Sequence, residues 1–280
     1  MKKGRITERT IAAFGAHLRR EEKSAATVGK YLRDVRAFAR YLGAGEAEKA
    51  AVLRYKAELS SRYAPRSVNA TLAALNSLFA FLGRHDCRVR SVRWQRQVYC
   101  PEERELTRAE YLRLCRTARG KGNERLYLIL QTICGTGIRV GELRYITVEA
   151  VGRGEATVTL KGKTRTVFIV PALREKLLRY ASARGIRSGA LFVTRTGKPL
   201  DRTNIWREMK ALCRAADVNP RKVFPHNLRH LFARVFYGIE KDLAKLADIL
   251  GHASIDTTRI YIVSTGTEHR RRMEHMHLIL

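Results

Sequence analysis

Four short segments past residue 130 hold groups that can grip an anion, move a proton or attack as a nucleophile. In 136–143, TGIRVGEL, Arg139 and Glu142 fall one helical turn apart on the same face. The run Lys161-Gly162-Lys163 offers ammonium groups at the tip of an expected hairpin, and 224–230, FPHNLRH, places His226 and Arg229 one turn apart behind Pro225. In 250–261, LGHASIDTTRIY, Tyr261 follows His252 by nine positions. A guanidinium presents a planar donor fork to anionic oxygens, an imidazole exchanges a proton near neutrality, and a phenol can form a covalent intermediate. Taken singly, each segment has an ordinary explanation: a surface ion pair, a solvated turn, a common HxxR, a packing tyrosine. Their order and spacing together are the signal.

The elements that must position these groups divide into two sets. Ile11, Phe14 and Leu18, then Val28, Tyr31, Leu32, Val35, Phe38 and Leu42 up to Gly43, keep a helical period. Val52, Tyr55, Leu59 and Tyr63 mark a third helix ended by Pro65, and Val68, Leu72, Leu75, Phe79 and Leu82 a fourth ended by Gly83. These predict a small helical domain over 1–83. Residues 84–105, polar and charged without a persistent period, are expected to be a linker. Thr107 and Glu110 then form a capping-box pattern that opens a second domain over 106–280. In that domain 123–134 reads as a buried helix closed by Gly135-Thr136-Gly137, and 156–160 and 165–170 as two strands joined through 161–164. Helical periods return from Pro171.

Charge narrows the partner. The chain carries 55 Lys and Arg against 26 Asp and Glu, a formal +29 that points to a polyanion. Residues 1–100 hold 21 basic and 8 acidic side chains, leaving 34 and 18 for 101–280. Both halves are therefore basic, as expected of a clamp around a duplex rather than an appended tail, although a generally basic RNA-binding surface fits charge alone equally well. Five scattered cysteines without a CxxC pair argue against a disulfide framework or zinc ribbon and for a reducing compartment. No secretion signal is visible at the N-terminus, and the most apolar run, 126–138, is too short for a bilayer span and includes Gln131 and Thr132. Neither a P-loop nor an acidic cluster suited to Mg²⁺ occurs, so no ATP, metal or other cofactor is expected.

With these motifs in order, the sequence resembles the tyrosine recombinase and integrase family over nearly its whole length. The family pattern is an arginine in a GxRxxE turn, a lysine in a β-hairpin, HxxR, a histidine or tryptophan in an LGH segment, and a tyrosine nine residues later. The resemblance implies a mainly α fold with a small antiparallel β-sheet in the catalytic domain, arranged as a two-domain C-shaped DNA clamp. The implied catalytic residues are Arg139, Lys161, His226, Arg229, His252 and Tyr261, with Glu142 bracing Arg139. The hairpin KGKTR is one residue shorter than the usual KGxKxR, and alignment on the first Lys-Gly favours Lys161 over Lys163. The chain also continues Tyr261-Ile262-Val263 where many relatives have Tyr-Thr-His.

What the resemblance implies can be tested against elementary chemistry. A phosphodiester is anionic and gains charge on its non-bridging oxygens in the transition state, so two guanidiniums are suitable donors. A phenol, with a pKa near 10, needs a general base, for which His226 is the candidate, while His252 is expected to hydrogen-bond the phosphate. Lys161 would protonate the departing 5′ oxygen, giving a 3′-phosphotyrosine that conserves the bond energy for religation. The implied partners are double-stranded DNA, further copies of the chain in a tetramer on two sites, and accessory proteins where an element uses them. The implied location is the cytoplasm, with the nucleoid. The resemblance implies that the segment after Tyr261 is the tail that relatives pack on a neighbouring protomer, although its His269-Arg270-Arg271-Arg272 run fits a solvated helix face equally well. A type IB topoisomerase-like nicking and resealing enzyme, or an inactive DNA-binding regulator, are the alternatives.

Overall fold

The computed structural model describes residues 5–93, 104–160, 163–194, 196–261 and 274. Its contacts divide into two compact units, Met1–Arg96 and Gln97–Leu280. The fold is mostly helical with a two-stranded antiparallel sheet, as the sequence predicts.

The first unit is built from α1 (Glu8–Arg20), α2 (Ala25–Leu42), α3 (Lys49–Arg62) and α4 (Pro65–Phe81). Thr7 and Ser24 cap α1 and α2 by accepting the backbone N–H three residues on. The apolar stripes read from the sequence meet in one core, where Phe38 lies 5.1 Å from Tyr55 and meets Phe79 edge-on at 6.2 Å. Pro65 opens α4 instead of merely ending α3, because its missing N–H is harmless at the first helical position. The bundle also reaches past residue 83 into the segment read as linker. Cys87 and Val89 are buried in its core. On α4, Asn69 and Asn76 each donate to and accept from one backbone position of that segment, Val92 and Val89 respectively, at 2.7–3.0 Å. A side-chain amide mimics a neighbouring strand in this way, a role that charge-rich composition conceals. Residues 94–103 of the same segment lie outside the described residues.

In the second unit α5 (Arg108–Gly120) opens on the expected capping box, with Thr107 and Glu110 exchanging bonds of 3.1 and 2.8 Å. The helix α6 (Glu124–Thr136) is the centre of this unit. It buries Leu126, Leu128, Ile129, Leu130 and Ile133 on several faces and packs against α5, α8 (Pro171–Ala183), α9 (Arg202–Leu212) and α10 (Pro225–Glu240). Between α6 and α8 come a 3₁₀ turn over Val140–Tyr145, the short α7 (Val148–Arg153), and the hairpin of β1 (Glu155–Leu160) and β2 (Lys163–Phe168). The strands pair from Glu155↔Phe168 to Leu160↔Lys163, so β2 begins two residues before the expected Arg165. Alternation sends Ala156, Val158 and Val167 into the core. The chain closes with α11 (Leu243–Leu250) and α12 (Ile255–Arg259). No helix among the described residues is long and apolar enough to cross a membrane.

Candidate active site

The site is organised by the C-terminal end of α11. A helix leaves its last carbonyls without intrahelical partners and concentrates partial negative charge there. Here three consecutive carbonyls each receive an arginine. Arg165 Nε donates to Ile249 at 3.3 Å, Arg229 Nη2 to Leu250 at 2.6 Å, and Arg139 Nη2 to Gly251 at 3.2 Å. These arginines come from β2, α10 and the turn after α6, so residues up to 112 positions apart converge on one helix end.

Two glycines make the convergence possible. Gly137 ends α6 in the left-handed region, φ +65°, and its carbonyl accepts from Arg229 Nη1. A Cβ there would sit 2.5 Å from the Phe232 ring. Gly251 ends α11 at φ +63°, where a Cβ would stand 2.5 Å from Arg165 Cδ.

One buried carboxylate balances these cations. Glu142 is 2% exposed; its Oε1 accepts from Arg139 Nη1 at 2.9 Å. Its Oε2 accepts both the Arg139 backbone N–H and Arg165 Nη2, each at 2.9 Å. Three guanidiniums against one carboxylate leave a local excess of positive charge that an anion would relieve. Arg139, Arg165 and His252 line an open cleft of about 560 Å³ together with Thr164, Thr257 and Asp248.

Arg229, expected from the sequence to offer a donor fork to phosphate oxygens, is 1% exposed, and its two terminal nitrogens engage backbone carbonyls and His252. Its Nε is buried and finds no acceptor among the described residues. Burial, and then repulsion from Arg139, push its pKa down to about 10, so it remains charged at neutral pH. A buried donor without a partner costs about 1–3 kcal/mol and in a native fold points to a function beyond packing.

The histidines surround Tyr261. His252 Nε2 lies 3.0 Å from Arg229 Nη2 and its Nδ1 2.8 Å from the buried Thr258 hydroxyl. Arginine can only donate, so Nε2 is the acceptor, Nδ1 carries the proton and the ring is neutral. Burial, followed by Arg229 and Arg139, pushes its pKa down to about 4. His226 sits in the first turn of α10 with one face exposed; burial of the rest of the ring, then Arg229, lowers its pKa. Tyr261 is 6% exposed and packs with Ala233, Leu246 and Leu250. Its ring is 5.2 Å from His226, 4.9 Å from His252 and 5.8 Å from the Arg229 guanidinium.

Thus Arg139, Glu142, His226, Arg229, His252 and Tyr261 are brought together. Lys161 lies outside the described residues, as do Gly162, Arg195 and the tail from Ile262 apart from Glu274; Lys163 is placed by its backbone at the start of β2. Three participants were missed. His230 stacks on Tyr261 at 4.2 Å and 19°, and its spacing of four from His226 was a usable signal. Its pKa is pushed down to about 3 by burial and then by His226. Arg165 closes the KGKTR hairpin run, a motif position to which no role was assigned, and Thr258 carried no signal beyond helix pattern.

Residues 104–268 match the phage integrase family and 11–86 the phage integrase N-terminal SAM-like domain. The tyrosine recombinase XerA of Pyrococcus furiosus is 28% identical, covering 100% of this chain and 98% of the relative. The tyrosine recombinase XerC of Erythrobacter litoralis is 31% identical, covering 90% and 86%. Among solved structures, XerH site-specific recombinase in a pre-cleavage complex with its difH substrate covers 90% of this chain and 79% of its own at TM-score 0.69 and 20% identity. A lambda integrase dimer bound to a COC′ core site covers 91% and 95% at TM-score 0.73 and 17% identity. The chain therefore belongs to the phage integrase family of tyrosine recombinases.

Proposed function

We propose that this chain is a site-specific recombinase that cuts and rejoins duplex DNA through Tyr261. The phenolic oxygen attacks phosphorus, its proton passing to His226, while the bond to the 5′ oxygen breaks and that oxygen takes a proton from Lys161. A 3′-phosphotyrosine and a free 5′-hydroxyl result. Attack by a 5′-hydroxyl from another strand reverses the step, returning the proton to Tyr261 without nucleotide hydrolysis. Arg139 and Arg229 stabilise the charge on the non-bridging oxygens, Glu142 braces Arg139, and His252, its Nδ1–H held by Thr258, accepts from Arg229 through Nε2 and so holds that guanidinium in place.

What carries this reading is the seating of Arg139 and Arg229 on adjacent carbonyls of one helix end, with Tyr261 packed beside them. Because Tyr261 is nearly buried, attack requires α12 to move outward, and a five-residue helix resting mainly on α11 has few contacts opposing that motion.

The basic N-terminal bundle, which takes in the segment to Val92, and the catalytic unit over 106–280 both hold the duplex. Recombination uses four protomers on two sites, drawn from chain held on the nucleoid by its positive charge. Accessory proteins, where an element uses them, would act on the choice or order of sites. The test is a nicked suicide duplex whose cleaved fragment diffuses away: wild type becomes covalently trapped and Tyr261→Phe does not. An adduct that persists in the variant refutes the nucleophile. Relaxation of any supercoiled plasmid without joining two defined sites would instead favour a topoisomerase-like enzyme.

A further inference from the structure

We infer that Arg165 is a positioning residue that sets the Arg139 guanidinium for its anion, a conclusion that rests on the recombinase reading. Arg165 projects from β2 with its side chain only 12% exposed, and it closes the KGKTR hairpin run, in which only the lysines were assigned a role. It bonds Glu142 Oε2 through Nη2 and the Ile249 carbonyl through Nε, while its Cδ fills the space that a side chain at Gly251 would need. Two of these residues, Glu142 and Gly251, also hold Arg139. Glu142 Oε1 takes Arg139 Nη1, and the Gly251 carbonyl takes Arg139 Nη2.

The geometry gives Arg165 a definite task. A carboxylate facing one arginine prefers a two-pronged pair, with both terminal nitrogens drawn onto its two oxygens. With Oε2 already occupied by Arg165, Glu142 receives only one terminal nitrogen of Arg139. The other nitrogen stays on the Gly251 carbonyl, beside Arg229 on Leu250. Without Arg165, the buried carboxylate would lose a charged partner and draw Arg139 into the two-pronged pair, away from the helix end. The hairpin would lose its tie to α11 at the same time. Lysine cannot replace both bonds, because a single ammonium group lacks the rigid fork that reaches two acceptors in different directions.

The experiment measures single-turnover covalent trapping at saturating protein on two suicide duplexes. One has an ordinary scissile phosphodiester; in the other a methyl group replaces a non-bridging oxygen and removes the negative charge that Arg139 answers. Arg165→Gln is expected to slow trapping about 30-fold on the ordinary duplex, the scale of a misplaced catalytic group. Binding to uncut duplex should change less than about twofold, since the cleft keeps its other cations. On the uncharged linkage the loss relative to wild type should shrink to about threefold, as it should for Arg139→Ala, because the guanidinium then has less charge to stabilise. Arg165→Lys should recover only part of the rate and serves as the second variant if the glutamine protein does not fold. An equal fold-loss on both linkages would reduce Arg165 to a structural residue and overturn the inference, as would an unaltered rate on the phosphodiester. Wild-type protein that traps neither duplex would strike the recombinase reading itself.

Discussion

The two units bury different things. Among the described residues the core of the N-terminal bundle is apolar, whereas every buried polar or charged side chain, from Thr132 to Thr258, belongs to the second unit. Glu142 and Arg229 are nearly inaccessible, and three arginines crowd one helix end with a single carboxylate. A core built for stability alone would not contain them: a buried ion network is often no more stable than its apolar replacement. The first unit is organised by apolar packing, and the second also buries charge that stability alone does not require.

That contrast can be broken with one substitution in each unit. Arg229→Met is expected to reduce covalent trapping by about 10²–10³-fold, the usual loss when a donor to a developing oxyanion is removed. Its effect on unfolding free energy should stay within about 2 kcal/mol, because relief from Arg139 repulsion and the orphaned Nε offsets the loss of donors to two carbonyls. Phe38→Ala in the bundle should do the reverse, lowering stability by about 3–5 kcal/mol through the cavity it leaves, while trapping per folded molecule changes little. Denaturant titration alongside the suicide duplex checks both. Equal stability losses would erase the distinction between the units.

The second unit should also respond to acid more than the bundle. His252 and His230 have folded pKa values pushed from 6.5 down to about 4 and about 3. Above pH 6.5 both states hold these rings neutral and nothing is lost. As pH falls below 6.5 the unfolded chain binds protons that the folded chain refuses, so stability declines until the folded values are reached. The melting temperature should therefore drop between pH 7 and pH 5, and His230→Phe, which keeps a ring against Tyr261, should flatten that slope. A slope unchanged by the substitution would remove His230 from this explanation. A smaller effect is expected at Thr258. Replacing it with Val removes the acceptor for His252 Nδ1–H, costing about 1 kcal/mol and slowing trapping a few-fold as the ring loses its fixed tautomer.

The same contrast explains what was legible. The bundle announced itself because helical periodicity is a local property, and residues such as Val35, Phe38 and Leu72 fall where the period places them. Arg139, His226, Arg229, His252 and Tyr261 were recognisable as a set by order and spacing. Their surroundings were not. Arg165 looks like a strand residue until folding carries it to Glu142, 23 positions away. Gly137 and Gly251 read as helix stops, while the close approach of Phe232 and Arg165 that forbids a side chain there is a tertiary fact. The burial of Arg229 was likewise invisible, because the carbonyls that receive it belong to two other segments.

The most direct test of the account is to digest the trapped wild-type complex and identify the amino acid bonded to DNA by mass spectrometry. The account predicts one peptide, containing Tyr261 esterified to a 3′-phosphate, with a free 5′-hydroxyl on the released strand. A link through another residue, or a 5′-phosphate on the protein, would contradict it.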